Sequence, residues 1–290
     1  MRILLTGATG YLGSRLCRKL IAEGHHVSAL KRASSNLGRI GDLLQGVDLY
    51  DVSANGDQVI AALVKSVDCV VHLATCYGRK GESIGQVLEA NTTFPLRLLV
   101  AAARECVPFI NTDTVLPRNL NNYALSKVQF ADWGRLVARD HALPFLNLRL
   151  DHFYGPGDDD LKFTTWVMQS CLRGVPELNL TPGEQKLDFI YVSDLVDAYG
   201  VLLCRACNGA QGFEEYGVGT GEPVTLREFV ETVKRCAHSR TQLNFGALPY
   251  RAGEPMKYPN DTSRMHVLGW HARTSLEEGI RKSLNDEQAK

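Results

Sequence analysis

Two side chains that could exchange a proton, Tyr123 and Lys127, stand four residues apart at the start of a predicted helix over residues 124–141. At that spacing both side chains lie on one face of the helix. A nearby ammonium favours the phenolate and lowers the pKa of a tyrosine, which would make Tyr123 a general acid or base. The hydroxyl of Thr112, just after a predicted strand over residues 107–111, can bind a carbonyl or alcohol oxygen. Tyr-x-x-x-Lys pairs also occur on ordinary helix surfaces, so the interpretation depends on the elements that position this one.

Three glycines, Gly7, Gly10 and Gly13, follow a short apolar strand pattern over residues 2–5 and precede a helical pattern that begins at Ser14. A strand, a glycine-rich turn and a helix in that order are typical of dinucleotide-binding units. The phosphates would lie at the helix N-terminus, where backbone N–H groups and the helix dipole favour negative charge. An ordinary turn is the alternative for the glycines alone. The expected cofactor contacts in this turn are Gly7, Thr9, Gly10, Tyr11, Leu12 and Gly13.

Strand patterns alternate with helical patterns along the first half of the chain. Further strands are predicted over residues 26–30, 47–50, 69–74, 107–111 and 144–150, and helices include 83–104 and 124–141. The alternation predicts an α/β fold with a Rossmann-type doubly wound parallel sheet. Ligands of such sheets bind beyond the carboxyl ends of the strands. We therefore expect the glycine turn, Lys31, Asp51, Leu73, Ala74 and Thr112 to share one edge.

The end of the second strand predicts which dinucleotide binds. NAD-binding units often end this strand with a carboxylate that holds the ribose 2′-hydroxyl, whereas this chain has Lys31 and Arg32, with Ser35 close behind. Cations and hydroxyls at this point suit a 2′-phosphate, so the sequence favours NADP(H), with a solvated loop as the alternative. Asp51 and Val52, at the end of the third strand, are expected near the adenine.

Composition excludes several classes of partner. The 290 residues include 32 basic and 32 acidic side chains, for a formal net charge of zero, and show no basic stripe that would favour nucleic acid. We expect no membrane span, because no apolar run is long enough, and no signal peptide, because a strand pattern begins at Arg2. The eight cysteines lie mostly in apolar segments. Cys204 and Cys207 form a CxxC without a second pair, which favours packing over a metal or redox site. We expect no metal and a reducing, cytoplasmic location.

The alternation becomes irregular after residue 158. We expect a dinucleotide-binding domain over residues 1–155 and a smaller, mainly substrate-binding α/β part over residues 156–290. This expectation allows for segments of the second part that return to the sheet. In this second part, Thr225 and Ser275 each stand three residues before a glutamate, which predicts a capped helix after each.

With these elements in place, the chain resembles an extended short-chain dehydrogenase/reductase of the NAD-dependent epimerase/dehydratase family. The matching residues are Gly7-Ala-Thr-Gly10-Tyr-Leu-Gly13, Val71-His72-Leu73-Ala74, Asn91, Thr112, Tyr123…Lys127, Arg149, Tyr154-Gly-Pro-Gly157, Asp188-Phe189-Ile190-Tyr191-Val192 and Leu268-Gly269-Trp270. The resemblance implies that Tyr123 is the acid/base, that Lys127 binds the nicotinamide ribose and tunes Tyr123, and that Thr112 orients the reacting oxygen. It also implies a nucleotide-sugar substrate and a dimer formed through the helices at 83–104 and 124–141.

Departures from the family pattern narrow the reaction. Family 4,6-dehydratases carry Thr-Asp-Glu where this chain has Thr112-Asp113-Thr114, and without the glutamate dehydration is disfavoured. Asp113 either contacts substrate or caps the next turn, and His152, where the family commonly has Asn, either contacts substrate or packs. Leu187 replaces an arginine that reaches a diphosphate in the family. The expected substrate contacts are Asp113, His152, Lys186, which could compensate for Leu187, and Arg251, which matches a second phosphate-binding arginine.

Within the family, residues 148–159 and 180–190 are most similar to reductases of the CDP-abequose and CDP-paratose synthase type. This similarity implies NADPH-dependent reduction of the keto group of a CDP-linked 4-keto-deoxyhexose, as in deoxysugar and O-antigen biosynthesis. One alternative is a nucleotide-sugar 4-epimerase with tightly bound NAD. An alternative of another class is a cofactor-sensing binding protein without catalysis, since fold does not fix function.

Overall fold

The computed structural model describes residues 1–52 and 56–288. The chain forms two compact units, of which the first comprises Met1–Arg149 and Val196–Tyr216. The second comprises Leu150–Leu195 and the chain from Gly217 onward. The sequence placed the boundary after residue 155 and allowed later segments to return. Here the break follows Arg149, and residues 196–216 return to the first unit.

The elements follow one another along the chain as two series. The strands are β1 Arg2–Thr6, β2 His26–Lys31, β3 Val47–Asp51, β4 Cys69–His72, β5 Phe109–Thr114, β6 Phe145–Leu150, β7 His152–Tyr154, β8 Glu177–Leu180, β9 Lys186–Leu187, β10 Phe189–Tyr191, β11 Phe213–Val218, β12 Val224–Thr225 and β13 Gln242–Phe245. The helices are α1 Tyr11–Ala22, α2 Gly56–Val64, α3 Ile84–Leu88, α4 Phe94–Arg104, α5 Asn122–His141, α6 Phe163–Arg173, α7 Val192–Cys207, α8 Leu226–Cys236, α9 Ser263–Val267 and α10 Leu276–Gln288. A 3₁₀ turn, Gly38–Leu43, precedes β3.

A seven-stranded parallel sheet organises the first unit, in the order β11-β6-β5-β4-β1-β2-β3. Leu4 in its centre pairs with Ser28 on one side and with Val70 on the other. Strands covered on both faces read as continuous apolar runs, and Ile3, Leu4 and Leu5 are indeed fully buried. The predicted α/β fold with a Rossmann-type doubly wound sheet is confirmed.

Helices α2, α4 and α5 share one core with the sheet, which includes Leu98 of α4, Phe109 of β5, Phe130 of α5 and Phe145 of β6. The rings of Phe109 and Phe145 stack with centroids 5.4 Å apart. A Cβ on Gly134 of α5 would overlap the Phe145 ring. The glycine therefore lets α5, which carries Tyr123 and Lys127, approach the sheet closely.

Two features of this unit differ from the predicted pattern. The helix expected over residues 83–104 contains a π-helical segment, Glu89–Thr93, between α3 and α4. Strand β11 was not predicted, because its two glutamates are unusual in a strand of a buried sheet. Glu214 is nevertheless buried there, where its carboxylate accepts hydrogen bonds from Arg205 and Tyr216.

The second unit is smaller and less regular. Its paired strands form two-stranded sheets, β10 with β7 and β13 with β8 in parallel, and β12 with β9 antiparallel. Helices α6, α8 and α10 bury a core that includes Tyr154, Phe189 and Phe229. Thr225 caps α8 through the N–H of Glu228, as predicted. No helix in the described parts of the chain combines the length and the apolar character needed to cross a bilayer.

Candidate active site

The glycine turn connects β1 to α1 in the expected order, and each glycine meets a different constraint. Gly7 has a φ of +74°, and a Cβ there would lie 2.7 Å from the backbone nitrogen of Ala74. A Cβ on Gly13 would overlap the carbonyl oxygen of Gly7. Gly10 is the N-cap residue of α1 and provides no side-chain hydrogen bond to the first N–H groups of the helix. Backbone N–H groups at an uncapped helix start form a cradle for a phosphate. The turn therefore fits the pyrophosphate of a dinucleotide.

Thr6, a residue that the sequence reading did not single out, fixes the strand end facing this turn. Its hydroxyl oxygen accepts the N–H groups of Leu73 and Ala74, both at 3.1 Å, and lies 2.8 Å from Nδ1 of His72. Since that oxygen already accepts two hydrogen bonds, its own proton is directed to Nδ1. Burial holds the pKa of His72 well below its ordinary value, so the ring stays neutral. Leu73 and Ala74 are thereby held beside Gly7.

The end of β2 carries the charges expected to select the cofactor. The Lys31 ammonium lies 3.3 Å from the Asp51 carboxylate, and the Ser35 hydroxyl accepts the backbone N–H of Arg32. The Arg32 side chain is exposed, and the backbone N–H of Val52 donates to the carbonyl of Lys31. Lys31 thus neutralises Asp51, and Arg32 presents its charge to solvent. Contact of these residues with a cofactor stays a prediction.

Two arginines that the sequence reading missed flank Tyr11 of the glycine turn. The guanidinium of Arg15 lies 4.0 Å from the centroid of the Tyr11 ring, and that of Arg39 lies 5.5 Å from it. Arg39 belongs to the 3₁₀ turn, which no periodic pattern marks. These contacts place further positive charge beside the glycine turn.

The predicted proton-exchanging pair occupies the first turns of α5. Asn121 caps this helix by accepting the N–H of Ala124 at 2.9 Å, and Lys127 is 2% exposed. Burial lowers the pKa of Lys127 to about 8, although the nearby carboxylate of Asp113 acts in the opposite direction. Burial raises the pKa of Tyr123 well above its ordinary value, with Tyr77 and Asp113 adding to the effect. The expected lowering of the Tyr123 pKa is therefore wrong, because desolvation of the phenolate dominates.

The hydroxyls at the end of β5 have partners that their spacing did not predict. The Thr112 oxygen lies 2.6 Å from the phenol oxygen of Tyr199 on α7. The Thr114 hydroxyl lies near the Tyr123 phenol and acts to lower its pKa, against the larger effect of burial. Both Thr112 and Tyr199 lie in the first unit. The structure therefore brings Thr112, Tyr123 and Lys127 to one strand end and one helix start.

Asp113 points into the interior of the first unit. One carboxylate oxygen accepts the N–H of Thr114 at 2.8 Å, and the other accepts the side-chain amide of Asn147 at 3.0 Å. The residue is 5% exposed and interacts electrostatically with Lys127. The structure thus favours a role inside the unit over the substrate contact that was one of the two expectations for Asp113.

Asn91, which matched the family without a predicted role, ties the loop after β4 to α5. Its side-chain oxygen accepts the backbone N–H of Cys76 at 2.7 Å and the hydroxyl of Thr75 at 3.2 Å. Its amide nitrogen donates to the carbonyl of Cys76 at 2.8 Å and to the hydroxyl of Ser126 at 3.0 Å. All four hydrogen-bonding positions of the amide are used. Ser126 adjoins Lys127, so Asn91 helps to position the helix start.

The remaining predicted substrate contacts lie in the second unit. His152 packs its ring against Tyr258, with centroids 4.9 Å apart, and burial lowers its pKa to about 4. Lys186 is exposed on β9, and Arg251 is exposed in a loop. Because Nδ1 of His152 is buried without a hydrogen-bond partner among the described residues, both expectations for His152 stay open, and Lys186 and Arg251 also stay predictions. Among residues 1–52 and 56–288, no cluster of three or more histidines, cysteines or carboxylates could hold a metal ion.

Comparison with known proteins identifies the family. The model of the NAD dependent epimerase/dehydratase family matches residues 3–219. CDP-abequose synthase of Salmonella muenchen is 32% identical, with 98% of this chain and 97% of that protein covered. CDP-abequose synthase of Salmonella typhimurium is 29% identical, with 97% of each covered.

Solved structures show the same fold. UDP-glucose 4-epimerase of Thermotoga maritima, solved with UDP-glucose, superposes with a TM-score of 0.86 at 22% identity, covering 100% of this chain and 99% of that one. UDP-glucuronic acid 4-epimerase of Bacillus cereus, solved with UDP-glucuronic acid and NAD, gives 0.86 at 22% identity, covering 100% of each chain. The chain therefore belongs to the NAD dependent epimerase/dehydratase family and is an enzyme of the NAD(P)-dependent oxidoreductase type.

Proposed function

We propose that this enzyme uses NADPH to reduce the 4-keto group of a nucleotide-linked 4-keto-deoxyhexose, with CDP as the nucleotide. The observation that carries the proposal is the similarity to two CDP-abequose synthases over nearly the whole length of both proteins. Thr112, Tyr123 and Lys127 support it, because they supply a proton donor and an oxygen-binding hydroxyl within one unit.

The chain's own residues handle the proton and the reacting oxygen. NADPH, when bound at the glycine turn and the end of β2, supplies the hydride. Tyr123 keeps its proton at neutral pH because burial raises its pKa, and it passes that proton to the sugar oxygen. The Thr112 hydroxyl donates a hydrogen bond to the same oxygen as negative charge develops. The buried Lys127 ammonium binds the nicotinamide ribose and supplies positive charge at the helix start.

The preference for NADPH rests on charge at the end of β2. Lys31 neutralises Asp51, which reduces the repulsion between that carboxylate and a 2′-phosphate. Two further cations lie in this region, because Arg32 is exposed and Arg39 packs against Tyr11. Arg32→Ala should weaken NADPH binding about tenfold and leave NADH binding unchanged, since one charge-assisted hydrogen bond to phosphate is worth roughly 1.5 kcal/mol or more. Arg18→Ala, which removes an exposed arginine paired with Asp42, is the matched control. An equal loss for both cofactors would contradict the assignment.

The activity test combines the enzyme with NADPH or NADH and a CDP-4-keto-deoxyhexose, and follows the absorbance of the reduced nicotinamide. The proposal predicts loss of the NADPH signal, faster than that of NADH. A change of configuration in the sugar without cofactor consumption would identify a 4-epimerase instead. NADPH binding without turnover on any keto-sugar would identify a non-catalytic binding protein.

A homodimer and a cytoplasmic location complete the proposal. Leu125, Trp133 and Leu136 form an exposed apolar stripe along α5, and Ile84 and Leu88 are exposed on α3. Such a stripe suits a helical interface between two copies. Light scattering should give twice the monomer mass, and Trp133→Glu should shift the enzyme towards the monomer. All eight cysteines are free thiols, which suits a reducing compartment.

A further inference from the structure

Tyr199 is a buried phenol in the first unit that the sequence reading assigned no role. It lies on α7, it is 0% exposed, and its oxygen is 2.6 Å from the hydroxyl oxygen of Thr112. Thr112 is partly exposed at the end of β5. The contact joins residues 87 positions apart along the chain. A tyrosine from a helix far along the chain therefore contacts one of the proposed catalytic hydroxyls.

The count of protons and acceptors fixes the direction of this hydrogen bond. Each hydroxyl has one proton, and among the described residues the Thr112 oxygen is the hydrogen-bonding partner of the Tyr199 phenol. If Thr112 donated, the phenol proton of Tyr199 would be buried without an acceptor, which is costly. The phenol must therefore donate, and burial raises its pKa so that it keeps the proton.

This direction leaves the hydroxyl proton of Thr112 available for a second hydrogen bond. Once its oxygen accepts from Tyr199, the Thr112 proton is free to be donated elsewhere, and a hydroxyl that accepts one hydrogen bond donates another more strongly. We propose that Tyr199 is a positioning residue that orients the Thr112 hydroxyl as a hydrogen-bond donor to the reacting sugar oxygen. This inference rests on the proposed function, because it needs Thr112 to face that oxygen.

Two neighbouring tyrosines do not replace Tyr199 in this role. The Tyr77 ring lies 4.9 Å from that of Tyr123, and Tyr77 acts on Tyr199 as a nearby phenol that raises its pKa further. Tyr123 has the Thr114 hydroxyl, not that of Thr112, as the neighbour that acts on its pKa. Among the described residues, Tyr199 is the side chain that forms a hydrogen bond with the Thr112 hydroxyl and so orients it.

The test is a double-mutant cycle on kcat. Tyr199→Phe keeps the buried ring and removes the donor, so kcat should fall about tenfold with KM changed less than twofold. Thr112→Ala should lower kcat about 100-fold, as loss of one oxyanion donor does elsewhere, and adding Tyr199→Phe to it should cost nothing more. Thr112→Ser keeps the hydroxyl, so in that background Tyr199→Phe should again lower kcat.

Tyr216→Phe is the matched control, because it also removes a buried phenol, one that donates to Glu214 on β11. It should leave kcat unchanged, and thermal unfolding will show whether each variant is folded. If the wild type reduces the sugar but Tyr199→Phe has an unchanged kcat, the positioning role of Tyr199 is overturned and the proposed function stands. Additive losses of kcat in the double variant would have the same meaning. A wild-type enzyme without hydride transfer or epimerisation on any keto-sugar would overturn the proposed function and this inference together.

Discussion

The depressed pKa of Lys127 predicts an unusual dependence of stability on pH. Lys127 is 2% exposed, and burial lowers its pKa from 10.5 to about 8. Between those values the unfolded chain binds this proton and the folded protein does not. Since stability rises with pH wherever the unfolded state binds more protons, Lys127 should add stability as the pH rises from about 8 to 10.5.

The size of the effect follows from the shift. Each pKa unit corresponds to about 1.4 kcal/mol, so a shift of about 2.5 units changes the free energy of unfolding by about 3 kcal/mol across this window. Below pH 8 the lysine is charged in both states, and its contribution is constant. Tyrosines and cysteines titrate in the same range, so the effect must be measured as a difference from a variant without this lysine.

Lys127→Met removes the group and retains most of its length. The free energy of unfolding is measured by urea denaturation at several pH values between 7 and 10.5 for both proteins. The wild type should gain about 3 kcal/mol relative to the variant over that range. Lys65→Met, which removes a lysine with a 64% exposed side chain, is the control and should show little change. A wild-type-minus-Lys127→Met difference that stays flat within 1 kcal/mol would refute the reasoning.

Three further substitutions test the site. Tyr123→Phe should lower turnover by about 10²–10⁴-fold and leave the NADPH dissociation constant within twofold by fluorescence titration; retained turnover would exclude Tyr123 as the proton donor. Gly13→Ala should abolish NADPH binding in the same titration, because the new Cβ would overlap the Gly7 carbonyl oxygen, and unaltered affinity would contradict the cradle. Asn91→Ala should lower the free energy of unfolding in urea by about 2–4 kcal/mol, since it breaks four hydrogen bonds; a loss below 1 kcal/mol would show that water replaces them.

Local patterns predicted the elements that carry the glycine turn and the tyrosine–lysine pair. Strand β1 is a continuous apolar run because it is covered on both faces. Gly7 and Gly13 mark the turn because a Cβ does not fit at either position. The four-residue spacing placed Tyr123 and Lys127 on the same helix face. Each of these signals depends on neighbours within a few residues.

The missing features depend on contacts between distant parts of the chain. Strand β11 is stabilised by Arg205, which neutralises Glu214, and the sequence gives no local sign of that pair. The contact of Thr112 with Tyr199 requires that residues 196–216 return to the first unit. The raised pKa of Tyr123 reflects burial, which the spacing to Lys127 does not reveal. Tertiary packing therefore decides the electrostatics of this site.

The most direct test of the proposed reaction follows the transferred hydride. The enzyme is incubated with NADPH carrying deuterium at the transferable position and with a CDP-4-keto-deoxyhexose, and the product sugar is examined by NMR. We expect one deuterium at carbon 4 of the product in the wild type and little product with Tyr123→Phe. A product with altered configuration and no deuterium would show that the cofactor is not consumed, and would contradict the reductase assignment.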